Sequence, residues 1–354
     1  MNMRYIRQTV LKEFGDAAQE KLAKAKVLVV GVGGLGIPVL QYLNAMGVGT
    51  LGLVEADTVD ITNLQRQVLY TEAEVGASKL ATAIEKLKAQ NSNTLFKQYN
   101  TFLAKDNVLD IVSGFDVVVD ASDNFATRYL VNDACIILNK PFVSGAIQGF
   151  EGQLSVFNYK GGPTYRCLFP NMPSAHEIPN CNENGVLGVV PGIIGNLQAL
   201  ETVKLLTGVG EVLSGELLLF NGLHQTYNKI KFAAVNKNLK RTELEDSYGD
   251  NGCATGASIT IKEFKELVDN NTNFQLIDVR TINEYNVYHI PNSIHIPLAE
   301  LDFHLSKIKN NTTTYVICQS GKRSKIAQNQ LAEKTISVVN VEGGINAFKS
   351  IEIV

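Results

Sequence analysis

The segment that most constrains the fold is Lys26 to Gly36, KVLVVGVGGLG, in which a run of apolar residues leads directly into a cluster of glycines. A short, uninterrupted apolar run is typical of a strand that is covered on both faces in a parallel sheet. After the glycines, apolar residues from Leu35 to Leu43 keep helical spacing. The segment therefore predicts a buried strand, a tight turn and a helix.

The turn itself predicts a binding site for phosphate. Glycine allows positive φ and a close approach of the backbone to a ligand, and the helix N-terminus beyond it offers free N–H groups and partial positive charge. The glycines concerned are Gly31, Gly33, Gly34 and Gly36. A glycine fingerprint alone leaves the nucleotide class open, and a tight turn within an α/β core is the alternative interpretation.

Beyond this segment, strand-like runs alternate with helical patterns as far as about Gly145. That alternation predicts an α/β fold, a Rossmann-like, doubly wound and mainly parallel sheet. Residues 152–159 then alternate like an antiparallel strand, and residues 161–188 form a polar, Gly- and Pro-containing loop. We expect a first domain over residues 1–235, an exposed linker over 236–257, and a smaller α/β domain over 258–354.

Composition narrows the class of protein. The 354 residues are 45% hydrophobic with a net charge of −3, which predicts a folded chain and argues against nonspecific nucleic-acid binding. No uncharged apolar run is long enough for a membrane span, and we expect no membrane association and a cytoplasmic location. The five cysteines are scattered, so a disulfide framework is not expected. They are Cys135, Cys167, Cys181, Cys253 and Cys318.

Polar residues at predicted strand ends indicate which nucleotide binds. Glu55 lies nineteen residues beyond Gly36, where a carboxylate can accept hydrogen bonds from ribose in either NAD or ATP. Asp123 follows another buried strand and could hold Mg²⁺. Cations near a triphosphate stabilise developing charge, and the chain supplies Arg66 and Lys79. The set favours ATP with Mg²⁺, the alternative being solvated cations and an aspartate that caps a helix.

The sequence from about Arg4 to Phe232 resembles the ThiF, MoeB and HesA family of adenylating enzymes, which are related to ubiquitin-activating enzymes. The motifs that carry the resemblance are RYIRQ, GVGGLG, TNLQRQ, GASK and DASDN. The resemblance implies that ATP adenylates the C-terminal Gly-Gly carboxylate of a ubiquitin-like sulfur carrier, with release of pyrophosphate. It implies a homodimer in which Arg7 reaches the neighbouring subunit's site.

The same resemblance assigns roles to single residues. Gly34 would contact the phosphates and Glu55 the ribose. Asp123 would bind the metal and, with Asn124, the nucleotide. Phosphate contacts are assigned to Asn63, Arg66 and Lys79, and Gln67 completes the predicted ATP site with the glycine turn.

Two features of this region concern thiols. Cys181 lies in the long polar loop, at a position that resembles a loop cysteine of the family, and whether it is catalytic or dispensable stays open. Many relatives carry two CxxC pairs for structural zinc, but here the corresponding positions read Thr164 to Cys167 and Cys253 to Gly256. Because tetrahedral zinc needs four ligands, we expect no zinc. Cys135, on an apolar helical pattern, is expected to be buried and inert.

In the second domain, Cys318 ends an apolar strand and opens the loop CQSGKRS ahead of a helix. A helix N-terminus together with Lys322 and Arg323 would favour the thiolate, which predicts a reactive cysteine. The alternative is a half-buried cysteine at a strand end. The region from Ser258 resembles a rhodanese domain, with LIDVR, HIP, the Cys318 loop and EGGINAF in order.

That second resemblance implies a persulfide on Cys318, with Arg323 closing the catalytic loop. Only four residues separate Cys318 from Arg323, one fewer than in related phosphatases, which favours sulfur over phosphate as the cargo. The donor would be a cysteine desulfurase or thiosulfate. The sequence thus predicts a fused enzyme that adenylates a carrier and converts its terminus to a thiocarboxylate, for molybdopterin, thiamine or a similar pathway. The alternatives are an NAD-dependent oxidoreductase and a carrier-docking scaffold without turnover.

Overall fold

The computed structural model describes residues 3–173, 185–248, 257–270, 272–309, 312–334 and 336–352. The chain divides into two compact units, Met1–Tyr248 and Gly249–Val354. Within the described ranges, no helix has the length and apolar character needed to cross a membrane.

The first unit is built on an eight-stranded sheet in the order β3-β2-β1-β4-β5-β6-β7-β8. Its five strands from β3 to β5 are parallel, and β6 to β8 are added in antiparallel fashion. The strands are β1 (Lys26–Val30), β2 (Thr50–Val54), β3 (Leu95–Tyr99), β4 (Val117–Asp120), β5 (Phe142–Gln148), β6 (Glu151–Phe157), β7 (Glu216–Asn221) and β8 (Thr226–Lys231). The prediction of a Rossmann-like, mainly parallel sheet is confirmed.

Helices pack against this sheet. They are α1 (Ile6–Thr9), α2 (Gly15–Lys24), α3 (Gly36–Ala45), α4 (Lys79–Gln90), α5 (Val108–Ser113), α6 (Phe125–Ile137), α7 (Tyr165–Leu168) and α8 (Val189–Thr207). Short 3₁₀ helices cover Met3–Tyr5, Ile61–Asn63, Glu72–Glu74 and Asn236–Leu239. Helix α8 begins at Val189, and Pro191 lies in its first turn, where the missing N–H of proline breaks no helical bond.

The central strand positions the site. In β1, Val27 to Val30 are all buried, as expected for an apolar strand in a sheet that is covered on both faces. Its neighbours are β2 on one side and β4 on the other, so the strand order reverses beside it. Ligands of open α/β sheets bind in the crevice at the carboxyl ends of strands where the order reverses. The glycine turn lies at that point.

Residues 236–248 belong to the first unit, which differs from the predicted exposed linker over 236–257. Asp133 on α6 is fully buried, and Arg166 donates to both of its carboxylate oxygens at 2.8 and 2.9 Å. The hydroxyl of Tyr248 donates to the same carboxylate at 2.7 Å, and Arg241 lies 3.2 Å from it. A buried carboxylate is tolerated when it is paired and hydrogen-bonded, and here its partners tie the segment to α6.

The second unit is a smaller sheet whose described strands are all parallel, in the order β11-β10-β12-β13-β9. The strands are β9 (Ser258–Ile259), β10 (Gln275–Asp278), β11 (Ile294–His295), β12 (Thr314–Ile317) and β13 (Val339–Val341). The helices are α9 (Ile261–Asp269), α10 (Ile282–Val287), a 3₁₀ segment over Leu298–Lys307, α11 (Lys322–Glu333) and α12 (Gly344–Glu352). Cys318 directly follows the central strand β12, at the carboxyl edge of the sheet.

Candidate active sites

The glycine turn after β1 is sterically restricted to glycine at two positions. Gly31 has φ of +93°, and a Cβ there would lie 2.9 Å from the carbonyl oxygen of Ala121. A Cβ on Gly36 would collide with the carbonyl oxygen of Gly31. The N–H of Gly31 still donates to Val54 at 3.0 Å, so the turn stays attached to the sheet. The sequence prediction of a tight strand-to-helix turn is confirmed.

Glu55, the predicted ribose ligand, is hydrogen-bonded to the backbone of this turn. Its side chain is buried, and one carboxylate oxygen accepts the N–H of Val32 at 3.0 Å. The other oxygen accepts the N–H groups of Ala56 and Asp57, each at 2.9 Å. A carboxylate offers about four acceptor positions, so Glu55 retains capacity for one further donor, such as a ribose hydroxyl.

Tyr70 is a residue of this site that sequence reasoning missed. Its hydroxyl lies 2.9 Å from the carbonyl of Val32 and 3.2 Å from that of Lys79, and it can donate to either. Burial, aided by the negative charges of Glu55 and Glu74, raises the pKa of Tyr70 far above its usual value. Tyr70 therefore links the glycine turn to the start of α4. A tyrosine in QRQVLY carries no motif and resembles any core aromatic residue, so no sequence signal identified it.

Lys79 is held inside the site and is not a solvated surface cation. Its side chain is only 8% exposed, and Nζ lies 3.4 Å from the Oδ2 of Asp57. It is the first residue of α4, and Ser78 caps the helix by accepting the N–H of Ala81. A buried ammonium with one partly exposed carboxylate partner retains donor capacity for a phosphate.

Asn63 and Arg66, two predicted phosphate contacts, have different surroundings. The Nη1 of Arg66 donates to the carbonyl of Thr62 at 3.0 Å, and its aliphatic part would contact a Cβ on Gly34 at 3.5 Å. The amide oxygen of Asn63 accepts the N–H of Asp60 at 3.3 Å as part of a capping box. The aliphatic part of Arg66 thus lies beside Gly34, while Asn63 has a local structural role.

Gln67 has a feature that suits a ligand contact. It is 4% exposed, and its Oε1 is buried without a hydrogen-bond partner in the described structure. Its Nε2 would lie 3.4 Å from a Cβ on Gly33, so the amide faces the turn. Buried amide oxygens normally have donors, and a nucleotide or water at the turn would supply one.

The two carboxylates of the DASDN segment after β4 have different surroundings. Asp120 is fully buried and accepts both the N–H and the hydroxyl of Ser122, at 3.1 and 2.6 Å. Asn124 caps α6 by accepting the N–H of Thr127 at 2.8 Å. Asp123 is exposed, and the Asn124 side-chain amide lies 3.5 Å from its Oδ1. The cap of α6 is therefore Asn124, which leaves Asp123 available to a metal ion.

The other cysteines of the first unit have different surroundings. Cys135 is fully buried as expected, and burial raises the pKa of its thiol. The sulfur of Cys167 accepts N–H groups of Thr164 at 3.4 Å and Val235 at 3.2 Å. Burial acts to raise the pKa of Cys167, but these hydrogen bonds outweigh it, so the pKa lies below its usual value.

The surroundings of Cys167 bear on the prediction that the chain binds no zinc. The described neighbours of the Cys167 sulfur are hydrogen-bond donors, whereas a zinc site needs further thiolates or imidazoles. Among the described residues, no group of three or more His, Cys, Asp or Glu side chains is placed to hold a metal ion. Cys181 and Cys253 lie outside the described residues, so the absence of zinc and the role of Cys181 stay predictions.

In the second unit, the loop that begins at Cys318 is packed against the start of α12. The carbonyls of Cys318 and Gln319 accept the N–H groups of Ile345 and Asn346 at 2.9 and 3.0 Å. A Cβ on Gly344 would collide with the carbonyl oxygen of Cys318. Because a trans peptide places the next N–H opposite its carbonyl, the N–H groups of the loop point away from α12.

Cys318 itself is fully buried, and its sulfur accepts a hydrogen bond from the hydroxyl of Ser324 at 3.4 Å. Burial at a strand end also fits the alternative interpretation. The loop around it, however, contains Gly321 with φ of +87° as the N-cap of α11 and places Arg323 in the first turn. The side chain of Lys322, the second predicted cation, lies outside the described structure.

Arg323 is paired with a carboxylate. Its Nη1 and Nη2 donate to the two oxygens of Glu284 at 2.7 and 2.5 Å. The hydrogen bonds from Arg323, opposed by burial and assisted by Thr281, lower the pKa of Glu284 to about 2. This arrangement joins the loop that begins at Cys318 to α10, on which Glu284 lies.

Comparison with known proteins gives two family matches. The model of the ThiF family matches residues 5–241, and the model of the rhodanese-like domain matches residues 260–351. Adenylyltransferase and sulfurtransferase MOCS3 of Culex quinquefasciatus is 40% identical over 359 residues, covering 93% of this chain and 82% of that protein. The protein of the same name from Arabidopsis thaliana is 38% identical, covering 98% of this chain and 82% of its own.

Solved structures support the fold of the first unit. Escherichia coli MccB, in a complex with AMPCPP and SeMet MccA, superimposes with a TM-score of 0.58 at 23% identity, over 66% of this chain and 72% of that one. MccB alone gives a TM-score of 0.61 at 21% identity, over 68% of this chain and 73% of that one. Identities this low establish a shared fold and nothing further.

Proposed function

The chain belongs to the ThiF family and carries a rhodanese-like domain after its ThiF region, and on that premise we propose that it is an adenylyltransferase and sulfurtransferase acting on a ubiquitin-like sulfur carrier. The observation that carries the proposal is the buried Lys79, which the Tyr70 hydroxyl connects to a glycine turn that tolerates no side chain at Gly31 or Gly36. An NAD-dependent oxidoreductase has no use for this cation, and neither that alternative nor a scaffold without turnover is favoured by the relatives.

In the first step, a C-terminal carboxylate oxygen of the carrier attacks the α-phosphorus of ATP, and pyrophosphate leaves. Negative charge grows on the phosphates as the bond breaks, and fixed cations stabilise it most when water is excluded. Lys79 and Arg66 lie beside the turn that would hold the phosphates, and Glu55 would bind the ribose. The uncommitted carboxylate of Asp123 would hold Mg²⁺, which would neutralise phosphate charge.

In the second step, a persulfide on Cys318 attacks the acyl carbon of the carrier adenylate, and AMP leaves. The product is an acyl disulfide that joins the carrier to Cys318. A second thiol then attacks the sulfur of Cys318, forms a disulfide with it and releases the carrier as a thiocarboxylate. Cys181 stays open as a candidate for a thiol role. The thiocarboxylate would supply sulfur to molybdopterin, thiamine or a similar pathway, in a reducing compartment such as the cytoplasm.

Pyrophosphate release tests the proposed activity. Purified protein is expected to release pyrophosphate only when ATP and a carrier ending in Gly-Gly are both present, because the carboxylate is the nucleophile. A carrier lacking its last residue serves as the control. Tight binding of NAD without binding of ATP, measured by calorimetry, would contradict the proposal.

We further propose that the protein is a homodimer in which Arg7 completes the neighbouring subunit's site. Arg7 is exposed on α1, the short helix that directly follows Tyr5. The hydroxyl of Tyr5 accepts a hydrogen bond from the side chain of Asn91 at 3.1 Å, and its ring packs on Gly47. Gly47 and Asn91 follow the C-terminal ends of α3 and α4. The glycine turn lies at the opposite end of α3, about 15 Å away along a ten-residue helix. This placement favours action in trans.

Mixing two inactive variants tests this arrangement. Arg7→Ala and Asp123→Ala subunits are each expected to be inactive in adenylation, but a mixed dimer has one site with both residues intact. Random mixing gives about half mixed dimers with one good site of two, so about a quarter of wild-type pyrophosphate release is expected. No recovery in dimers verified as mixed would show that Arg7 acts in its own subunit or has no role.

A further inference from the structure

The Cys318 loop ends in a cation that is already paired. Both terminal nitrogens of Arg323 donate to Glu284, in the two-pronged geometry that is the strongest arrangement for these groups. The side chains of the pair are only 23% and 31% exposed, so solvent competes weakly for them. Any anion that enters the loop must share this guanidinium with the carboxylate.

Glu284 cannot easily move away to make room. It is the third residue of α10, and its Oε2 also accepts the N–H and the hydroxyl of Thr281, at 3.0 and 2.7 Å. A capping box of this kind fixes the carboxylate on the first turn of the helix. Because its pKa is lowered to about 2, the group stays ionised throughout the neutral range.

The second guanidinium near the loop is paired as well. Arg280 is 2% exposed, and its Nε and Nη2 donate to Asp278 at 2.9 and 2.6 Å. Its Nη1 donates to the side chain of Gln319 in the Cys318 loop, at 3.0 Å. Among the described side chains, the two arginines at the loop, Arg280 and Arg323, therefore face carboxylates, which reduces the positive potential that they offer to an anionic substrate.

We propose that Glu284 determines the class of sulfur donor, by keeping Arg323 paired so that the loop accepts sulfur from a perthiol in preference to the dianion thiosulfate. This inference rests on the proposed sulfurtransferase activity of Cys318. Glu284 acts through Arg323 and is a positioning residue. A protein-bound perthiol, the form in which a cysteine desulfurase carries sulfur, belongs to the favoured class.

The two donor reactions differ in the charge that enters the loop. With a perthiol, the Cys318 thiolate attacks the outer sulfur of R–S–SH, the S–S bond breaks, and R–S⁻ leaves. With thiosulfate, the thiolate attacks the outer sulfur and sulfite leaves as a dianion. The electron pair of the broken bond goes to the leaving group in both cases, and neither requires an external oxidant. Only the second donor brings a sulfonate that needs an unpaired cation.

Rates of persulfide formation on Cys318 test the inference in the full-length protein. Each donor, thiosulfate or glutathione persulfide, is added to Glu284→Gln and wild type, and the Cys318 peptide is quantified by mass spectrometry after alkylation. The variant is expected to raise the thiosulfate rate constant, relative to that for glutathione persulfide, about tenfold, the effect of removing one close charge from a partly exposed pair. The higher rate constant should result from a lower concentration of thiosulfate at half-saturation.

The chain offers a matched control. Glu263 occupies the same capping-box position on α9, accepting the N–H and hydroxyl of Thr260 at 3.0 and 2.7 Å, but among the described residues it pairs with no arginine. Glu263→Gln should keep the wild-type ratio of donors. Glu284→Asp, which keeps the negative charge, should give a ratio between those of wild type and Glu284→Gln.

An unchanged or lower ratio in Glu284→Gln, or an equal loss with both donors, would overturn the inference, since Glu284 would then only hold the loop in shape. Wild-type protein that forms no persulfide on Cys318 with either donor would overturn the proposed sulfurtransferase function itself. Persulfide formation in wild type with an unchanged ratio in the variant would overturn the donor assignment alone.

Discussion

Replacement of Asp123 by alanine is expected to lower carrier-dependent exchange of pyrophosphate into ATP by about a thousandfold, the scale seen when one electrostatic stabiliser of a transition state is removed. The structure makes the variant informative, because Asp123 is exposed and the cap of α6 is supplied by Asn124. The substitution therefore removes no helix cap and no buried partner, and the fold should be unaffected. Isotope exchange with labelled pyrophosphate measures the loss.

A control for Asp123 is available in the same unit. Asp106 is another exposed carboxylate, in the turn before α5, and Asp106→Ala should exchange pyrophosphate at the wild-type rate. The Asp123 variant should also still form a persulfide on Cys318, since that chemistry belongs to the second unit. Exchange at the normal rate in Asp123→Ala would mean that the metal assignment is wrong.

Replacement of Cys318 by alanine is expected to abolish sulfur transfer and leave adenylation intact. Pyrophosphate release should continue for the first turnover, and the carrier should accumulate as its adenylate because no persulfide attacks the acyl carbon. Cys318 is fully buried, so the lost sulfur leaves a small cavity that costs about 1 kcal/mol of unfolding free energy. Cys318→Ser, which nearly preserves the volume, should show the same chemical defect.

Cys167 provides the comparison for that variant. Its sulfur accepts hydrogen bonds from the backbone of Thr164 and Val235, and its lowered pKa makes it a second candidate for reactions that need a thiolate. Cys167→Ser should nevertheless form the persulfide on Cys318 at the wild-type rate, because that step uses the Cys318 thiol and the sulfur donor alone. Thiocarboxylate formation by Cys318→Ala without added sulfide would remove Cys318 from the mechanism and leave Cys181 as the leading candidate.

The sequence predicted those parts of the fold that depend on residue patterns within a short segment. A buried apolar run followed by glycines specified β1, the turn and α3, because the strand period, the helix period and the steric need for glycine act within about twenty residues. The outer strand β3 was not predicted. Its sequence, LFKQY, is mostly exposed, so it lacks both a continuous apolar run and a clean alternation.

Features that depend on distant residues were not predicted. The Asp133 cluster joins α6, α7 and residues 241–248, and none of its members stands in a motif. Residues 236–248 therefore read as an exposed linker, since charged side chains give no sign that they will be paired with one buried carboxylate. Motifs did identify Lys79 and Arg323, but the burial of the first and the pairing of the second with Glu284 needed the structure.

The most direct test of the account is the mass of the carrier's C-terminus after incubation with the protein, ATP, Mg²⁺ and glutathione persulfide carrying a heavy sulfur isotope. The account predicts that one carboxylate oxygen of the terminal glycine is replaced by the heavy sulfur, and that omission of ATP leaves the terminus unchanged. A terminus that is adenylated but never acquires sulfur, or that acquires sulfur without ATP, would contradict the coupling of the two activities.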